Sequence, residues 1–228
     1  MDEKIIHRLS RQASVSELVE ALTERLSPSD FQTLMLEVFS RRSAKLTPSE
    51  VLKNYRTNRY AAPSSTLVET LQAFDCLAFQ LAATNFEPVE LSPVSPLGTC
   101  SALGTVHQNK VLSATRHLEV LADCTNVLAL ECARQRQALL KNQPKSQEKI
   151  RLCTSHRLIR TQPLPDPRFL SHFRIFGLCT AGRDEGSFQF ELASLKEHLA
   201  FHLSLLTATE SPFHFEKIEV QITELDDG

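Results

Sequence analysis

The sequence predicts an α+β fold, a mostly antiparallel sheet flanked by helices and preceded by a helical N-terminal region. Three observations carry this. The first 83 residues hold four segments with apolar positions at helical spacing. The strand-like segments after them are not evenly separated by helices, which argues against a doubly wound sheet. Two long strand-like segments, "KIRLCTSHRLIR" and "HFRIFGLCTAG", bracket the loop "TQPLPDPRFLS", whose three prolines suit a wide hairpin tip.

The elements follow in order. "SVSELVEALTERL" places Val15, Leu18, Val19, Leu22 and Leu26 on one helix face, with Ser14 and Glu17 in capping-box spacing. "SPSDFQTLMLEVFSRRSAKL" starts with Ser27 as cap and Pro28 in the first turn. "TPSEVLKNYRTNRY" repeats the signal with Thr47, Pro48 and Glu50. "SSTLVETLQAFDCLAFQLAATNF" is a long apolar helix. Phe86, Val89 and Leu91 mark a strand that Pro93 and Pro96 end or bend, because proline cannot continue a ladder. The strand "EVLA" then leads to a helix from about residue 126, with Asp123 or Thr125 as its cap. "KNQPKSQEK" reads as an exposed connection.

In the hairpin, Ile150, Leu152 and Thr154 alternate on the first strand, followed by Ser155, Arg157 and Ile159. The return sets Phe173, Ile175, Gly177 and Cys179 against His172, Arg174, Phe176 and Leu178. "RDEGS" turns at Gly186, and the next helix carries Leu192, Leu195, Leu199, Leu203 and Leu206 inward. "SPFHFEKIEVQITELDDG" is expected to be a closing strand. The chain thus divides into a helical region, 1–69, and an α+β core, 70–228.

A net charge of -2 with 23% charged residues gives no bulk attraction to nucleic acid or an anionic membrane. The basic cluster of Arg41, Arg42, Lys45, Lys53, Arg56 and Arg59 leaves nucleic acid open locally, although such a cluster is commonly a solvated face. The first residues carry no apolar signal region and no apolar run is long enough to span a bilayer, so a cytoplasmic protein without membrane association is expected. The six cysteines form no Cys-x-x-Cys pair, which speaks against zinc and thioredoxin chemistry and for reduced packing residues; no metal is expected. Neither GxGxxG nor GxxxxGK[ST] is present.

Arg157, Arg160, Arg168 and Arg174 lie on or around the hairpin. Arg157 and Arg174 suit an anion site, since the guanidinium fork matches phosphate or carboxylate, and surface ion pairing is the competing explanation. Arg160 and Arg168 read as solvated charges. Arg183, in a turn with Asp184 and Glu185, could position a ligand amine or simply be solvated. His198 and His202 have metal-ligand spacing on a helix, but Leu199 stands where a metalloprotease has Glu, so packed histidines are expected. Cys124 would be a nucleophile only with a base such as His156 or His172 beside it. Gly98 and Gly104 mark a small-residue loop suited to lining a pocket or an interface.

Residues 70–222 resemble the catalytic core of class II aminoacyl-tRNA synthetases, particularly the histidine-type branch. "NFEPVELSPV" looks like that family's first motif, a helix and strand ending in Pro, here Pro93. "VLADCTNVLALECARQR" looks like the strand-to-helix passage in which a Thr, here Thr125, helps shape the amino-acid pocket. The hairpin looks like the second motif, with Phe173-Arg174-Ile175-Phe176 as its return. The resemblance implies a homodimer through the first motif and ATP or AMP as compatible ligands. It also shows departures. Where the family has Arg followed two residues later by Glu, this chain has Arg157 and Ile159. Ile175 replaces the usual acid of the return strand, and no third motif follows "QITELDDG". The electrostatic clamp of nucleotide chemistry is therefore incomplete. The expected role is a non-ligating protein that binds a small ligand or a partner protein, as regulatory relatives of the family do. The site residues so marked are Arg157, Arg174, Thr125, Asp123, His172 and Arg183. The alternative is an amino-acid-activating or aminoacyl-transferring enzyme whose third motif lies beyond this sequence. A further alternative puts the function in residues 1–69, docking a protein or an RNA.

Overall fold

The computed structural model describes residues 18–104, 106–162, 170–209, 215 and 217–223. After a short helical stretch, Leu18–Glu20 and a π turn Ala21–Arg25, the elements are α1 (Pro28–Ser43), α2 (Pro48–Thr57), α3 (Val68–Ala82), β1 (Glu87–Pro88), β2 (Val94–Pro96), α4 (Thr99–Leu103), β3 (Ser113–Ala114), β4 (Leu118–Val120), α5 (Cys124–Asn142), β5 (Ile150–Ile159), β6 (His172–Ala181) and α6 (Gln189–Ala208). The class is α+β, with small sheets ordered β1-β5-β6 and β2-β4-β3.

Local chemistry explains the helix starts. Ser27 Oγ accepts from Asp30 N at 3.1 Å and opens α1. Thr47 and Glu50 close a full capping box on α2, each side chain bonding the other's backbone N–H. Asp123 Oδ1 accepts from Thr125 N (2.9 Å) and Thr125 Oγ1 (2.7 Å) at the start of α5. The residues Ser14 and Glu17 lie outside the described ones.

Contacts divide the chain into two compact units. The first comprises Met1–Ser64, Ser92–Asn126 and Arg157–Arg174. In it β4 is the central strand of a small antiparallel sheet, pairing Val120 with Val94 on one side and Leu118 with Ala114 on the other. The prolines flanking Val94 do not prevent this strand, because β2 is an edge strand of three residues. Glu119, at 0% exposure, lies in the middle of β4. Its carboxylate accepts from Gly98 N and Cys100 N, both at 2.8 Å, and from Gln108 Nε2 at 2.9 Å. Burial alone would raise its carboxyl, but the N–H donors hold it below the ordinary carboxylate value. Gly98 presents its N–H there with φ +91°, a conformation that disfavours any side chain. Gly98→Ala is expected to lower stability by about 1–3 kcal/mol in urea denaturation, from strain rather than crowding.

The second unit comprises Ser65–Leu91, Val127–His156 and Ile175–Gly228. β1 pairs in parallel with β5, Glu87 opposite Leu152 and Pro88 opposite Cys153. The core gathers Ala78, Ala82, Phe86, Cys153, Phe176, Leu178, Phe201 and Leu205. Phe176 stacks on Phe201 at 5.3 Å and meets Phe79 edge-on at 5.1 Å. The inward face of α6 is therefore that of Phe201 and Leu205. Of the expected leucine stripe, Leu192, Leu195 and Leu203 are exposed, and Leu199 and Leu206 are only half-buried. The aromatic cluster sets this phase, because Phe201 offers more apolar area than a leucine. The closing strand also differs from expectation: residues 217–223 form no regular element, and the rest of that segment, apart from residue 215, lies outside the described residues.

His198 is half-buried in this unit, with Nε2 2.9 Å from Thr180 Oγ1 and its ring 5.5 Å from Phe86. Burial lowers its pKa below 6.5, and the Glu197 charge only partly offsets this. The depressed value means that the unfolded chain takes up the proton first. Stability is then complete above about pH 6.5 and is lost as pH falls through the folded value. Melting temperature should fall between pH 7.5 and 5.5, and His198→Asn should remove part of that fall, the rest coming from His202, whose pKa desolvation also lowers. His202, expected to pack among the leucines of that face, is instead exposed, with its ring edge-on to Phe201.

Candidate functional site

The first unit builds its site from the backbone out. Leu121 N donates to Pro93 O at 3.2 Å, and Ile159 N donates to Leu121 O at 3.0 Å, so three segments run side by side. Beyond Ile159, Arg160 N donates to Ser171 O at 2.9 Å, which joins the end of β5 to the start of β6 and makes the pair an antiparallel hairpin. This arrangement brings Arg160 beside Asp123. Arg160 Nε donates to Ala122 O at 3.2 Å, its guanidinium lies 3.9 Å from Asp123 Oδ2, and it sits 5.3 Å above the Phe173 ring. A cleft of about 460 Å³ opens there, lined by Val106, Lys110, Ala122, Asp123, Arg160 and Gln162. Two cations, one carboxylate, an amide and two small apolar side chains thus face one space. Lys110 is exposed, and Arg160 and Asp123 are half-buried.

The other marked residues of this unit form a second group. His172 is buried. Its Nε2 lies 2.5 Å from the Ala62 carbonyl and its Nδ1 2.8 Å from Arg157 Nη1. A carbonyl can only accept, so Nε2 carries the hydrogen and Nδ1 accepts from Arg157. The exposed Arg157 guanidinium is therefore tied to the protein itself. Arg174 is also exposed, two residues along β6 from His172. Tyr60 and Arg59 add to this edge by donating to the Thr161 carbonyl at 3.0 and 2.7 Å.

Asp123 and Thr125, marked in the sequence, are brought together at the head of α5. Arg160, whose sequence context suggests a solvated charge, stands in the cleft instead. Lys110 and Gln162 were not marked, since nothing local distinguishes them. Arg183 belongs to the second unit, exposed at a turn whose acids have partners: Asp184 Oδ1 accepts from Gly186 N at 2.7 Å, and Glu185 pairs with Lys149, just ahead of β5, at 2.7 Å. Arg168 lies outside the described residues. Cys124 is buried, and burial followed by the Asp123 charge pushes its thiol up to about 11, which keeps it protonated and poorly nucleophilic at neutral pH. Among the described residues no cluster of His, Cys, Asp and Glu could hold a metal, and no helix is long and apolar enough to cross a membrane.

No family model and no curated protein matches the chain. Solved structures do show partial likeness. One is an ATP phosphoribosyltransferase regulatory subunit/histidyl-tRNA synthetase from Bacillus halodurans C, at 14% identity and TM-score 0.47, covering 63% of this chain and 36% of that one. Another is pyrrolysyl-tRNA synthetase from Desulfitobacterium hafniense, at 14% identity and TM-score 0.46, covering 80% and 58%. A third, PylSc, a pyrrolysyl tRNA synthetase of the same organism, has 13% identity and TM-score 0.47, covering 80% and 56%. The chain therefore spans between about a third and three fifths of the length of these proteins.

Proposed function

We propose that this chain is a non-ligating, class II synthetase-like binding protein whose cleft at Asp123 and Arg160 takes a small zwitterion, an α-amino acid, in a regulatory or interaction role. The observation that carries the reading is the placement of opposite charges in one cleft. A ligand ammonium would meet the Asp123 carboxylate, and a ligand carboxylate would meet the Arg160 fork with Lys110 beside it. Val106 and Ala122 leave room for a side chain of modest size. The Phe173 face and the Ala122 carbonyl hold the Arg160 guanidinium in place before any ligand arrives, which lowers the ordering cost of binding. The non-ligating part of the reading is supported by Ile159, which offers no acceptor where the family resemblance has Glu, and by the commitment of Arg157 to His172. A homodimer remains part of this proposal through the resemblance of the α3–β2 stretch to the first motif.

Melting of the purified chain against each common amino acid, AMP and ATP tests this. A ligand at about 100 times its dissociation constant adds about 2.7 kcal/mol, a clear shift. The expected result is a shift with one class of amino acid, none with ATP or AMP, and no amino-acid-dependent ATP–pyrophosphate exchange. Exchange activity would reject the non-ligating reading in favour of the enzyme alternative. A shift with nucleotides alone would reject the amino-acid site.

A further inference from the structure

The first unit holds another cleft that shares no lining residue with the one at Arg160. It measures about 580 Å³ and is largely apolar. Phe31, Met35, Leu36 and Phe39 of α1 form one wall, and Leu97 contributes to the other. Their spacing along α1 places the four on one helix face. The size is that of a small-molecule site.

The tip of the β3–β4 hairpin closes the rim. Arg116 has φ +68° and His117 has φ +53°, two consecutive non-glycine residues in the left-handed region. Such backbone persists only where surrounding contacts hold it. Here the hold is visible: His117 Nε2 donates to the Pro28 carbonyl at 2.7 Å, and its ring lies 6.2 Å from Phe31. The turn is thus tied to the first residue of α1, and the two walls are braced. The result is that Arg116 stands exposed at the rim. Among the described residues it forms no ion pair, and no acid lines the cleft. Gln108, also in the lining, has its amide N–H donated to Glu119.

An apolar cavity with a single cation and no carboxylate at its mouth is complementary to one chemical class. We propose that this cleft binds an amphipathic monocarboxylate, its apolar chain lying against Phe31, Met35, Leu36 and Phe39 and its carboxylate on the Arg116 guanidinium. This is separate from the amino-acid site, which lacks an extended apolar wall.

Calorimetric titration of the full chain with decanoate, decanol and decyltrimethylammonium tests the proposal. Decanoate should saturate one site and bind at least tenfold tighter than either of the others. Arg116→Gly should remove that preference with the melting temperature unchanged or higher, because glycine takes the φ of this turn without strain. Leu36→Asp should abolish decanoate binding. Equal binding of the three amphiphiles, absence of saturation, or decanoate binding unaffected by Arg116→Gly would overturn it. So would sedimentation showing a dimer that Leu36→Asp dissociates while decanoate binding is retained, since a second copy of the chain would then be the occupant.

Discussion

Phe201→Ala is expected to destabilise the second unit by about 3–5 kcal/mol, the cost of emptying a well-packed aromatic site. Leu195→Ala on the same helix should change stability by no more than about 0.5 kcal/mol. The contrast follows from the phase of α6. Phe201 is buried, stacks on Phe176 and meets Phe86 at 6.3 Å, whereas Leu195 is 49% exposed. Urea denaturation monitored in the far ultraviolet reads both values. If Leu195→Ala cost more than Phe201→Ala, the helix would be rotated from the position described, and the leucine stripe would be its inner face after all.

Glu119→Gln should cost about 1–3 kcal/mol, although it changes shape very little. The buried carboxylate has acceptors for three N–H donors, and the amide replaces one of its oxygens with a donor aimed at other donors. The substitution also has a pH signature. The folded carboxyl titrates below its ordinary value of 4.5, so its contribution is complete above that value and is lost as pH falls through the lower, folded value. Below about pH 4.5 the melting temperatures of wild type and Glu119→Gln should therefore converge. Curves that stay parallel down to pH 3 would mean that the charge on Glu119 contributes nothing.

The capping residues show what is legible in a sequence. Ser27, Thr47 with Glu50, and Asp123 act within three residues of their targets, so local pattern suffices to find them. The long hairpin is legible because two strand-like runs bracket a loop with three prolines, although β5 buries Leu152 to His156 in succession rather than alternately. Glu119 was not, since an acid inside "LEVLA" looks like the solvent side of a half-buried strand. Its donors come from residues 98, 100 and 108, and only the folded loop brings them near. The phase of α6 was misread for a similar reason. Leu192, Leu195, Leu199 and Leu203 make a good helical stripe, yet the phenylalanines that select Phe201 are Phe86, just beyond α3, and Phe176 on β6. In the site, Asp123 and Thr125 are marked by the resemblance of their strand-to-helix passage to the family's pocket segment, and their cap position places them at the head of α5. Arg160 was discounted because its value depends on Ala122 and Phe173, which are distant in sequence or across the hairpin.

We propose that the cleft of Asp123 and Arg160 holds an amino acid by both of its charges. Isothermal titration of whichever amino acid shifts the melt, beside its N-acetyl and its carboxamide derivatives, tests this most directly. The free amino acid should bind, each derivative should bind at least tenfold more weakly, and Arg160→Gln should weaken the free amino acid and the N-acetyl form but leave the carboxamide unchanged. Binding that is indifferent to both derivatisations, or no binding of any amino acid to the wild-type chain, would contradict it.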